Sequence, residues 1–89
     1  MTISEFVYKL TKHNFYNGAE IAINVPEEKV LGVDVTIEPK GLVPYSYKVV
    51  VEFCPFNNVV IFTDELPKIL RVLADLLEEV QIKDANNAT

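Results

Sequence analysis

Apolar residues recur along this chain with two different periods, and each switch between them marks a change of secondary structure. Ile3, Phe6, Val7 and Leu10 fall at i, i+3, i+4 and i+7, which is one face of a helix. Thr2-Ile3-Ser4-Glu5 opens that segment with capping-box spacing, so the Thr2 hydroxyl and the Glu5 carboxylate can each satisfy an otherwise orphan N–H. Lys9, Lys12 and His13 lie towards its end, where positive charge favours the helix dipole, and Asn14 can close it. The spacing predicts a helix over residues 3–13. A rival strand over residues 5–16, turning at Asn17-Gly18, would set Lys12 and Asn14 against Ile23 and Ile21. That register mixes polar and apolar faces, so Asn17-Gly18 is read as the turn from the helix into the first strand.

From Ala19 the period becomes two. Ala19, Ile21, Ile23 and Val25 alternate with Glu20, Ala22 and Asn24, and Leu31, Val33, Val35 and Ile37 with Gly32, Asp34, Thr36 and Glu38. Tyr45, Tyr47, Val49, Val51 and Phe53 repeat the pattern, and Val59 to Thr63 is a fourth, more uniformly apolar strand. The intervening turns, at Pro26-Glu27-Glu28, from Pro39-Lys40-Gly41 to Pro44, and at Cys54 to Asn58, are too short for a parallel crossover through a helix. Thr63 or Asp64 then caps a second helix that tolerates Pro67 in its first turn. Its apolar stripe is Leu66, Ile69, Leu70, Leu73, Leu77 and Val80, broadened by Val72 and Leu76.

These elements predict an α+β fold: a four-stranded antiparallel β-meander between an N-terminal and a C-terminal helix, in a two-layer sandwich. Val33, Val35, Val49 and Val51 are expected among the most buried residues. A chain of 89 residues accommodates one such core, so residues 1–83 are read as a single domain and 84–89 as a frayed polar tail.

Composition narrows the function by exclusion. Hydrophobic residues make up 49% of the chain, far from the signature of disorder, yet no apolar run approaches the length of a membrane span. Glu5 stands where a secretory signal carries positive charge, and Cys54 is the only cysteine, so a reducing, cytoplasmic setting without disulfides is expected. Thirteen acidic against eight basic residues give a net charge of −5, which disfavours direct nucleic-acid binding.

Catalytic and cofactor chemistry finds little support. His13 is the single histidine, flanked by Lys12 and Asn14, and Cys54 before Pro55 reads as a small buried hydrophobe rather than a nucleophile. One His, one Cys and scattered carboxylates offer no metal-ligand spacing. Gly18, Gly32 and Gly41 are isolated, which rules out a phosphate-cradling loop, and Ser4 and Ser46 lack the context of a nucleophile turn. No catalytic residue, cofactor or metal is assigned, and no enzyme activity is expected.

Two surfaces hold more promise. Asp75, Glu78 and Glu79 lie in the C-terminal half of the second helix, where negative charge opposes the dipole, and Arg71 and Lys83 can offset only part of it at i, i+4 spacing. The cluster is either a solvated face or a patch that steers a basic partner. On the sheet face opposite the core, a regular hairpin through Cys54 to Asn58 would pair Val50 with Phe62 and Glu52 with Val60, gathering Val50, Phe56, Val60 and Phe62 into an apolar patch. The reading that follows is a small, acidic, non-enzymatic protein-interaction module: an inhibitor, an immunity or anti-defence protein, or a chaperone-like adaptor docking on a larger protein with a basic surface. The alternatives are a homodimeric structural subunit of a larger assembly and an acidic nucleic-acid mimic that blocks a nucleic-acid-binding protein.

Overall fold

The computed structural model describes residues 1–14, 16–39 and 46–87, of which 83–87 are described as helical backbone alone. In chain order the elements are α1 (Ile3–Thr11), β1 (Gly18–Ala22), β2 (Asp34–Pro39), β3 (Tyr47–Cys54), β4 (Asn57–Thr63) and α2 (Leu66–Asn87). The α+β class, the four antiparallel strands and the two flanking helices are those the periodicity predicts. Tyr45 and the turn residues from Lys40 to Pro44 lie outside the described residues.

α1 begins as its sequence dictates. Thr2 Oγ1 accepts from the Glu5 N–H at 3.1 Å, and the Glu5 carboxylate accepts from the Thr2 N–H at 3.3 Å, completing the capping box. Ile3, Phe6, Val7 and Leu10 are all buried. The helix ends at Thr11 with Lys12 as C-cap, and the Tyr16 hydroxyl donates to the Thr11 carbonyl. No hairpin forms at Asn17-Gly18: the Asn17 N–H donates to the Phe62 carbonyl at 2.7 Å, and the chain enters β1 there.

The sheet order is β1-β4-β3-β2, all antiparallel. β2, β3 and β4 form the meander, whereas β1 lies beside β4 instead of beside β2, which makes a Greek key. The connection from Ile23 to Val33 must therefore travel from one edge of the sheet to the other. Asn57, itself buried, takes over the backbone that leaves β1: its Oδ1 accepts from the N–H groups of Asn24 and Val25 at 2.7 and 3.0 Å. Further along, Pro26 and Glu28 carbonyls accept from Ser4 and Ile3, and the Val30 N–H donates to Met1. The start of α1 thus supplies the partners that a sheet neighbour would otherwise have given, and Val30 enters the core.

Odd-numbered residues of the central strands face the helices, and Val49, Val51, Val59 and Ile61 are fully buried against Phe6, Leu10, Ile69 and Leu73. Phe6 and Phe53 meet edge to face, with ring centroids 5.2 Å apart. Val35 and Ile37 of β2 depart from expectation: they point to the same side yet remain 37% and 40% exposed, Val33 is only partly buried, and Leu31, 89% exposed, precedes the strand altogether. β2 is an edge strand, flanked on one side only, and the helices centre on β3 and β4. In α2 the buried line is Ile69, Leu73, Leu76 and Val80, so Leu76 belongs to the core and Leu70 to the surface.

The start of α2 also differs in detail. The Glu65 carbonyl accepts from Lys68 and Ile69, the Thr63 hydroxyl accepts from the Glu65 N–H at 2.9 Å, and Asp64 is drawn elsewhere. Among the described residues no helix is long and apolar enough to cross a membrane.

Candidate functional site

The β3–β4 hairpin decides which side chains gather on the face away from the helices. Cys54 pairs with Asn57, so the turn has only Pro55 and Phe56 between the strands. Proline at its first central position and a positive φ of 66° at Phe56 are the marks of a type II turn, which normally places glycine or asparagine at the second position. Such a turn matches strand twist poorly, and a register irregularity between Glu52 and Cys54 absorbs the mismatch. Consequently Val50 pairs with Val60, Glu52 with Asn58 and Lys48 with Phe62, a shift of two residues from the register a longer loop would give. A shift of two preserves the face, so Val50, Val60 and Phe62 still project together.

The registers lay this outer face out in three rows across β1, β4, β3 and β2. Gly18, Phe62, Lys48 and Glu38 form one row, Glu20, Val60, Val50 and Thr36 the middle one, and Ala22, Asn58, Glu52 and Asp34 the third. Val50, Val60 and Phe62 are half-buried at its centre, while Glu20, Asp34, Glu38 and Glu52 are exposed around them. Neither described helix covers them, because α1 and α2 both pack on the opposite side through the odd-numbered residues. Among the described residues, four carboxylates and one lysine, Lys48, surround the apolar centre. Over β2 and β3 the face is concave, a trough of about 510 Å³ lined by Asp34, Val35, Thr36, Glu38, Val50 and Glu52.

Phe56 does not join this centre. It sits at the hairpin tip, 80% exposed, while Phe62 is five residues beyond Asn57, roughly 17 Å along the strand. The acidic residues of α2 lie on the far side of the molecule from the open sheet face. Glu79 accepts from Lys9 of α1 at 2.6 Å, tying the two helices together, and Asp75 lines a groove of about 240 Å³ with Lys9, Lys12 and His13. Glu78 is exposed beside them. The expected partnership of Glu79 with Lys83 falls on a side chain outside the described residues. Basic residues of α1, invisible to an inspection of α2 alone, thus temper the acidic cluster.

Asp64 holds the end of the sheet where Phe62 lies. Its two carboxylate oxygens accept from Asn17 Nδ2 at 3.0 Å and from the Ser46 N–H at 2.6 Å, which joins the chain entering β1 to the chain entering β3. Hydrogen bonds from the Asn17 side chain and then from Ser46 favour the charged form and lower its pKa below the ordinary aspartate value. The sequence alone offers Asp64, like Thr63, only as a candidate helix cap, since a contact 47 positions away leaves no local signal.

Cys54 lies at the hairpin end of the sheet, and His13 precedes Asn17 at the other end. Among the described residues no group of three or more His, Cys, Asp or Glu side chains could hold a metal ion. Comparison with protein-family models, curated proteins and solved structures gives no match to this chain.

Proposed function

We propose that this chain is a small, non-enzymatic protein-interaction module that docks on another protein through the outer face of its sheet. The observation that supports it is the open face itself: Val50, Val60 and Phe62 project together, with Glu20, Asp34, Glu38 and Glu52 around them. Aromatic and branched side chains grouped at the centre of an uncovered face and rimmed by charge have the anatomy of protein interfaces. The ring of carboxylates specifies the partner as a surface with an apolar centre and a basic margin. Face-to-face stacking of two copies would set carboxylates against carboxylates, so the charge pattern favours a different protein over a homodimer. With one cysteine and no disulfide to form within the chain, a reducing cytoplasmic setting fits this role.

The test begins with a photo-reactive residue at Val60 and, as control, at Glu78 on α2. A protein cross-linked from Val60 and not from Glu78 is then purified and titrated against the unlabelled chain. The reading expects binding that weakens by about tenfold or more between low and high salt, since the rim charges are exposed. Cross-linking from Glu78 alone, or binding indifferent to Val60→Lys in a folded protein, overturns it.

A further inference from the structure

Among the described residues β2 is hydrogen-bonded to β3 along one side only, and its other edge is open over the six residues from Asp34 to Pro39, all of them exposed. An open edge is a row of unpaired backbone donors and acceptors that recruits another strand unless something prevents it. The side chains here alternate sharply. Val35 and Ile37 point to the helix side, while Asp34, Thr36 and Glu38 point to the outer side beside Glu52 and the trough over β2 and β3.

We propose that this edge captures an extended segment of the partner as a fifth strand, a segment alternating basic and apolar residues. A strand laid about 4.8 Å beyond β2 would turn every second side chain towards Val35 and Ile37, covering apolar surface that the helices leave open. Its other side chains would stand beside Asp34 and Glu38. Glu38 already has Lys48 opposite it, but Asp34 faces Glu52, so a lysine or arginine there relieves a like-charge pair as well as gaining a counter-ion. A second copy of this chain is a poor occupant. The face-matched antiparallel register centred on Thr36 places Asp34 of each copy against Glu38 of the other, one of the devices by which natural edges resist self-pairing. The other edge, β1, has one carboxylate, Glu20, and one large apolar side chain, Ile21, set among Gly18, Ala19 and Ala22, so it offers a single step of the alternation that β2 carries twice.

The inference rests on the docking reading above, of which it names the partner's element: the added strand widens the same face. Its probe is a synthetic peptide alternating lysine and valine, titrated into the isotopically labelled full chain, with a glutamate and valine peptide as control. Amide shifts concentrated at residues 34–38, together with slowed exchange of amides there, are expected for the basic peptide alone. Exchanging Asp34→Lys and Glu38→Lys should reverse the preference to the acidic peptide; should that protein fold poorly, Asp34→Asn with Glu38→Gln should weaken binding of the basic peptide by about tenfold. Shifts centred on Asp75 and Glu78, shifts shared equally by both peptides, dimerisation through β2, or no binding at millimolar peptide each overturn the edge proposal. Any of these results with Val60→Lys still disrupting the cross-linked complex leaves the docking face standing, whereas indifference to Val60→Lys removes the face and not the edge.

Discussion

Asp34 and Glu52 stand directly opposite one another across β2 and β3, both exposed on the same face of the sheet. Like charges in that position are destabilising, by roughly 0.2–1 kcal/mol relative to a neutral pair. Glu52→Lys is therefore expected to raise the unfolding free energy by that amount, seen as a higher urea midpoint at an unchanged m-value, and to weaken docking of a basic partner. A variant that is both less stable and equally able to dock would show that the pair is spaced by solvent and plays no part in recognition.

Phe56 carries a second local cost. A left-handed backbone costs a non-glycine residue about 1–2 kcal/mol, and a ring that is 80% exposed recovers little of it by burial. Phe56→Gly should stabilise the free protein by roughly 1 kcal/mol in denaturant unfolding. Destabilisation instead would mean that the ring packs on the hairpin in solution.

Asp64 makes stability depend on acid. Its folded pKa is lowered by Asn17 and Ser46, so the stabilisation is fully present above the unfolded pKa and is lost as pH falls through the folded value. Thermal unfolding should show a gap between wild type and Asp64→Asn that is constant near neutrality and closes below roughly pH 4. A gap unchanged down to pH 2 would assign the loss to geometry rather than to charge.

The centre and the edge of the sheet should respond differently to truncation. Ile61 is fully buried in β4, so Ile61→Ala is expected to cost about 2–5 kcal/mol, whereas Ile37→Ala on the 40% exposed edge should cost roughly 1 kcal/mol or less. Equal losses, measured by equilibrium unfolding, would mean that β2 is covered as thoroughly as the central strands.

What could be read from the sequence was what short-range spacing encodes. The capping box at Thr2 and Glu5, the stripe from Ile3 to Leu10 and the alternation through Val49 and Val51 each carry their own geometry, and each element formed. Strand order was not legible, because the backbone leaving β1 is satisfied by the Asn57 side chain and the start of α1, both remote in sequence. This is why the pattern predicts Val33 and Val35 as core: alternation marks a side of the sheet and says nothing about whether the strand lies at an edge. The site was half legible. Val50, Val60 and Phe62 share a face in any even register shift, but a phenylalanine in a left-handed turn gives no sequence signal, so the pairing and the position of Phe56 were not recoverable.

The central claim, that the outer sheet face is a docking surface and not a second core, is tested most directly by Phe62→Glu. Circular dichroism, thermal cooperativity and titration against the partner cross-linked from Val60 are measured on the same preparation. A folded, cooperative protein whose affinity falls by about tenfold or more is expected, since an added carboxylate would then meet the apolar centre of the interface. A protein that no longer folds would show Phe62 to be core, and one that folds and binds as before would place the interface elsewhere; either result contradicts the claim.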